Sequence, residues 1–201
     1  MDSEREIGAL DERLVEREVV HSSKYLTFAR DIVRDADGQR HAREIVIHPG
    51  AVAVVALLPN GHVLLVRQYR HAADRVLLEL PAGTLDRQPD GSLEDPQHAA
   101  RRELHEETGH RAAQWREIVG FYTAPGFATE RITLFLATDV SPDPQHSGPQ
   151  PDERLEVVTM PFAQLLEQGR RGEIEDAKTL VGLYAVDALG RGGEVAELRA
   201  R

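Results

Sequence analysis

The chain contains no cysteine. Disulfide scaffolding, thiol catalysis and cysteine-built zinc sites are therefore excluded. It has no apolar run approaching the ~20 residues that a membrane-crossing helix needs. Met1 to Glu18 is too heavily charged for a secretory leader. Positive charge is also in short supply: 24 Lys and Arg stand against 34 Asp and Glu, a net charge of −10. That balance argues against a nucleic-acid surface, which needs basic patches. A polyanionic small molecule would have to be met by local arginines and a metal cation. The lack of cysteine fits a cytoplasmic protein. The 201 residues suffice for one ordinary α/β domain and an extra element. No internal repeat is visible.

What is present is concentrated between Gly83 and Gly109, ending Arg102-Glu103-Leu104-His105-Glu106-Glu107-Thr108-Gly109. Glu103, Glu106 and Glu107 fall at i, i+3 and i+4, so a helix places all three on one face. Like charges that close destabilise a helix unless a cation neutralises them. A hard divalent ion such as Mg2+ takes carboxylate oxygens and brings substrate phosphates with it. The helix itself is signalled locally. Asp95 is a good N-cap and Pro96 suits the first helical position. Ala100, Leu104 and Thr108 make a narrow inward stripe, and Gly109 suits the left-handed C-terminal position. Leu77 to Leu80 reads as a short strand and Pro81-Ala82-Gly83 as a turn. The nine histidines form no metal-ligand spacing, and His105 is expected to be exposed.

Around this unit, Met1 to Arg17 reads as a polar tail or short helix. Val19 to Val33 and His41 to His48 read as two strands of a hairpin, joined by the Asp35-Ala36-Asp37-Gly38 turn. Ala51 to Leu58 is a nearly continuous apolar run, hence a buried strand, and His62 to Tyr69 is its partner. Strands follow at Arg116 to Tyr122, Ile132 to Val140 and Leu155 to Met160, with a loop from Ser141 to Asp152. Helices are expected at Phe162 to Gly169 and Asp176 to Leu189, the latter with Leu180, Leu183, Val186 and Leu189 on one apolar face. The order predicts an α/β fold: an α/β/α sandwich with a mixed sheet over residues 49–201, preceded by a tail and antiparallel β hairpin over 1–48.

The run from Gly83 resembles the Nudix hydrolases, whose box is G-x5-E-x7-R-E-U-x-E-E-x-G-U, with U bulky and apolar. Glu94 stands eight residues before Arg102, and Arg102 to Gly109 fits without a gap. The sequence departs twice. Ten residues rather than five separate Gly83 from Glu94, a turn-rich insertion about Arg87 to Gly91 that can bulge outward at small cost. His110 replaces the final apolar residue. The resemblance implies that Glu103 and Glu107 are metal ligands, with Glu106 a ligand directly or through water. It implies that the Ala82 carbonyl completes the site, and that Arg102 holds the carboxylates through a salt bridge to Glu94.

Segments outside the box are similar to the ADP-ribose pyrophosphatase branch. They include Arg43 to Val46 followed by His48 to Val55, then Val66 to Arg70, Leu78 to Gly83, and Pro125 to Arg131. Pro125 lies sixteen residues past Gly109, as in that branch. Arg171 to Thr179 fits as well, so the resemblance runs from about Val19 to Leu189. It implies Mg2+- or Mn2+-dependent hydrolysis of ADP-ribose to AMP and ribose 5-phosphate. Arg43 and Arg67 would grip the diphosphate as bidentate donors. Glu79 and Glu130 would accept from ribose hydroxyls or approach the metals, and Phe127 or Tyr25 would stack on adenine. Glu153, then Asp152, is the candidate base on the loop before the last strand, with Glu106 the fallback. In that branch the N-terminal sheet forms a homodimer. The alternatives are another nucleoside diphosphate derivative (a nucleotide sugar or dinucleoside polyphosphate), a 5′-triphosphate cleanup role, or an ADP-ribose sensor without catalysis. The intact carboxylate set speaks against the sensor.

Overall fold

The computed structural model describes residues 8–145 and 154–191. Contacts divide the chain into two units: residues 1–49 with 124–130, and residues 50–123 with 131–201. The segment 124–130 belongs with the N-terminal strands although it follows the box in sequence.

The first unit is a three-stranded antiparallel sheet of β1 (Arg13–Ser22), β2 (Thr27–Arg34) and β3 (Arg40–Ile47), in that order. This corrects two expectations. Val19 to Val33 is not one strand but the end of β1, a turn, and β2. The turn closes through Ser23 N donating to Leu26 O at 2.8 Å and Leu26 N donating to Ser23 Oγ at 3.1 Å. Arg13 to Arg17 is strand, not tail or helix. Its mixed charges hide the period-2 pattern, and two irregularities in the β1–β2 register blur it further. Pairing compensates, and Arg17 donates to both oxygens of the buried Asp31, at 2.7 and 2.6 Å. Within this unit, Val46 N donates to Phe127 O at 2.7 Å, and Thr129 N to Val46 O at 3.0 Å. These bonds tie 124–130 to β3.

The second unit holds the mixed seven-stranded sheet, with β4 (Ala51–Leu57) at its centre. The main order is β10 (Leu155–Pro161), β5 (His62–Arg70), β4, β9 (Arg131–Pro142), β8 (His110–Tyr122). The β4–β9 pair is parallel and the others antiparallel. Short strands β6 (Arg75–Glu79) and β7 (Ala82–Thr84) pair with β5 and β4. The Ala82-Gly83 segment expected as a turn is thus a strand, since β4 offers it a partner.

All seven residues of β4 are buried, because the strand is covered on both faces. Ala51, Ala53, Val55 and Leu57 pack with Leu165 and Leu166 of α2 (Phe162–Arg170) and with Leu183 and Val186 of α3 (Ala177–Arg191). Val52, Val54 and Ala56 pack with Ala99, Ala100 and Leu104 of α1 (Pro96–Thr108). Alternation along one strand therefore feeds two cores, and the expected α/β/α sandwich is observed.

Candidate active site

The site is built on α1. Asp95 Oδ1 accepts from His98 N at 2.9 Å, and Pro96 occupies the first turn. At the far end Gly109, at φ 68°, donates its N–H to His105 O at 2.9 Å. The inward stripe of Ala100, Leu104 and Thr108 is buried as expected. Two of the carboxylates go in with it: Glu103 and Glu107 are only 7% and 5% exposed. Glu106 is half-buried.

The insertion before Glu94 folds into a small hairpin. Arg87 bridges Leu93, Gln88 N donates to Ser92 O, and Gly91 turns the chain at φ 84°. Glu94 N then donates to Asp86 O at 2.8 Å, so the extra residues leave Glu94 beside α1. There Arg102 donates through Nη2 to Glu94 Oε2 at 2.8 Å and through Nε to Oε1 at 3.2 Å. Its Nη1 donates to Glu103 Oε1 at 2.7 Å and to Glu106 Oε2 at 3.1 Å. The Arg102 bonds hold Glu94 below the usual carboxylate range against the opposing effect of burial, with His98 assisting. Arg102 is raised in turn, chiefly by Glu94 and then by Glu103 and Glu106.

Facing the helix is the strand β6–β7 connection. Ala82 N donates to Glu107 Oε2 at 3.0 Å, and Pro81 O accepts from Val54 N at 2.9 Å. A Cβ at Gly83 would stand 1.9 Å from Glu103 Oε1, so only glycine leaves room for that carboxylate. Buried carboxylates are the hard oxygen donors that Mg2+ takes, and the glycine cradle holds one of them in place. These residues fit a divalent cation. Among the described residues no three His, Asp or Glu side chains converge as a ready-made metal group. Arg102 draws Glu103 and Glu106 onto its own guanidinium.

The other expected residues are distributed over both units. In the first, Arg43 on β3 pairs with Glu12, and Glu130 lies 3.6 Å from His48 Nε2. Tyr25 and Phe127 are exposed, with Lys24 Nζ 4.4 Å from the Tyr25 ring centre. In the second, Arg67 on β5 pairs across the sheet with Glu156 at 3.3 Å. Glu153 and Asp152 lie outside the described residues. Glu79, expected near ribose or metal, is instead fully enclosed. Arg70 donates to both its oxygens at 2.7 Å, and Lys178 Nζ donates to Oε2. Burial alone pushes Glu79 up, but Arg70 and Lys178 together hold it below the usual range. His105 is not simply exposed: its Nε2 lies 2.9 Å from Asp143 Oδ2, which also accepts from Arg111 Nε at 2.8 Å.

Sequence reasoning gave no role to Arg70, Asp176, Lys178 and Thr179. One signal was available: Lys178 is the lysine at the start of a largely apolar helix, where a buried lysine needs a carboxylate partner.

Comparison with known proteins places these features. The NUDIX domain family matches residues 47–180. The chain is 36% identical over 181 residues to an ADP-ribose pyrophosphatase of Bacillus subtilis, covering 90% of this chain and 94% of the relative. It is 36% identical over 167 residues to a GDP-mannose pyrophosphatase of Cronobacter sakazakii, covering 78% and 83%. Its fold is similar to a solved ADP compounds hydrolase, with a TM-score of 0.75 at 24% identity, covering 91% of this chain and 96% of that one.

Proposed function

The chain belongs to the Nudix family, and from that premise we propose that it hydrolyses the diphosphate bond of ADP-ribose to AMP and ribose 5-phosphate, with Mg2+ or Mn2+ as cofactor. The observation that carries this is the acid cluster around α1. Glu94, Glu103 and Glu106 share one guanidinium, and Glu107 faces Ala82 beside them. The name of the Bacillus subtilis relative supports ADP-ribose as substrate.

In this reading Glu103, Glu106, Glu107 and the Ala82 carbonyl hold the metal. When bound, it supplies charge neutralisation and Lewis acidity to the diphosphate. Arg102 keeps the carboxylates oriented. Arg67 grips the diphosphate, exchanging its exposed Glu156 partner for phosphate oxygens. Arg43, Tyr25, Phe127 and Glu130 are the proposed substrate contacts of the first unit. Glu153 takes the proton of the attacking water, or Glu106 does. Glu79 is reassigned from substrate contact to a positioning group, because Arg70 and Lys178 occupy its oxygens.

We further propose a homodimer through the N-terminal sheet. Every residue of β1 is exposed, including Leu14, Val19 and Val20, an apolar edge of the kind that pairs or associates. No described helix is long and apolar enough to cross a membrane; we place the protein in the cytoplasm.

A second reading is hydrolysis of a nucleotide sugar, favoured by the GDP-mannose pyrophosphatase at the same 36% identity. The purified protein is to be incubated with ADP-ribose or GDP-mannose and Mg2+, with and without EDTA, and the products separated. AMP and ribose 5-phosphate, abolished by EDTA, are the expected result. Turnover of GDP-mannose alone would establish the second reading. Binding of ADP-ribose with no turnover of either would point to the sensor.

A further inference from the structure

The segment Leu80-Pro81-Ala82 is fixed from one side by β4 and α1 and from the other by α3. Pro81 O accepts from Val54 N, and Ala82 N donates to Glu107. On the α3 side, Leu80 N donates to Thr179 Oγ1 at 2.9 Å, a buried bond between residues 99 apart in sequence. Thr179 Oγ1 is itself oriented, because it donates to Asp176 Oδ2 at 2.6 Å. Asp176 Oδ2 also accepts from Thr179 N at 3.0 Å, and Asp176 Oδ1 accepts from Lys178 Nζ at 3.0 Å. Lys178 reaches on to Glu79, the residue before Leu80. The helix is pressed close here. A Cβ at Gly182 would lie 2.6 Å from Leu80 Cδ1 and 2.9 Å from Val55 Cγ2.

These contacts run in one direction. The first turn of α3 grips the carboxylate of Glu79 and the amide of Leu80, and two residues on the chain reaches Ala82, whose N–H donates to Glu107. A buried hydroxyl that accepts from an enclosed main-chain N–H fixes the backbone at that point, since an orphaned donor costs free energy. Losing an outer group that orients a metal ligand typically costs about 10–100-fold in metal affinity or activity.

We propose that Thr179 and Lys178 are positioning residues for the reaction: through Leu80 and Glu79 they fix the backbone that leads into Ala82, whose carbonyl would be one of the metal's ligands. The inference rests on the metal role proposed for Ala82. It predicts that α3, which carries none of the box, tunes metal affinity.

The test uses the full chain and Mn2+, with free ion read by electron paramagnetic resonance. Thr179→Val keeps shape and removes the acceptor; Thr179→Ser keeps the hydroxyl. Thr179→Val is expected to weaken Mn2+ binding and lower kcat by roughly 10–100-fold. KM for the nucleotide should stay within about twofold, and Thr179→Ser should restore both. Amide exchange at Leu80 and Ala82 in the metal-free protein should quicken in Thr179→Val only. If Thr179→Val does not fold, Lys178→Met carries the same expectation for Mn2+. Wild-type Mn2+ affinity in these variants, with lowered melting temperature alone, would make the network merely structural and overturn the proposal. Absence of Mn2+ binding by the wild type would remove the metal reading itself, a distinct outcome.

Discussion

Two clusters of carboxylates lie in the second unit, and they are balanced differently. Around α1, Glu94, Glu103 and Glu106 meet the single guanidinium of Arg102, with Glu107 close by at the Ala82 amide. Between β6 and α3, Glu79 and Asp176 meet two cations, Arg70 and Lys178. The formal charges of the second cluster balance, and its Arg70 also feels Glu107 of the first. The first carries a surplus of negative charge next to buried surface, and such a surplus is tolerated when a cation arrives to complete it. Similar residues therefore serve different ends: one group fixes the chain leading into Ala82 from the α3 side, the other is arranged for a ligand.

The widest test of this contrast is a pair of substitutions with opposite signatures. Glu107→Gln keeps the acceptor for Ala82 N and removes one charge from the surplus. It should lower kcat by about 10²–10³-fold, in the range of a lost electrostatic contact to the reacting group. The metal-free protein should lose less stability than in Lys178→Met, because the removed charge sits among like charges as well as within reach of Arg70. Lys178→Met in the neutral cluster should cost about 3 kcal/mol of stability by urea denaturation, since it strips a partner from a buried carboxylate. Equal stability losses in both variants would erase the distinction between the clusters, and more than about a tenth of wild-type kcat in Glu107→Gln would sink its metal role.

Gly83→Ala probes the same surplus from the strand side. Its Cβ would lie 2.0 Å from Glu103 Cδ, so the carboxylate must move. A displacement of about 1 Å at a positioned group costs on the order of 10²-fold in rate. Mn2+ affinity measured alongside kcat should fall in parallel; an unchanged affinity would mean that Glu103 holds no metal.

How far the sequence alone leads is clear from these residues. The α1 cluster was legible because its members sit within one helix and one short hairpin, where fixed spacing becomes fixed geometry. Even five extra residues between Gly83 and Glu94 did not hide Glu94, since a hairpin returns the chain to Asp86. The buried β4 and the two-layer packing were legible from an apolar run. The neutral cluster was not, because Glu79 and Lys178 meet across 99 residues and no local pattern encodes that distance. The three-stranded N-terminal sheet was missed for a local reason. Its first turn, Ser23 to Leu26, contains no Gly, Pro, Asn or Asp, and closes through a serine hydroxyl instead.

Acid titration offers a finer comparison, because both clusters contain a carboxylate held below its ordinary value of 4.5. A group depressed in the folded state contributes stability above its unfolded value and loses it as pH falls through the folded one. Stability should therefore be insensitive to Glu79 and Glu94 from about pH 7 to about pH 5, then fall below their unfolded value. In Glu94→Gln the loss of stability with acid should be shallower than in wild type, measured by urea midpoints from about pH 6 down through the unfolded value of 4.5 and below. An identical slope would show that Arg102 stabilises ionised Glu94 no better than water does.

The smallest effect on stability is expected at Arg67, which belongs to neither cluster. Its side chain is 52% exposed and that of its partner Glu156 is 65% exposed. Water and salt already screen such a pair, so Arg67→Ala should change stability by no more than about 1 kcal/mol. Its effect on substrate should be larger. A charge-assisted bond to a diphosphate is worth about 1.5–3 kcal/mol, or roughly tenfold or more in KM for ADP-ribose. The two measurements pull apart only if Arg67 meets the substrate. A KM unchanged in Arg67→Ala would return this arginine to the status of a solvated cross-strand partner, and would leave the diphosphate to the metal and to other arginines.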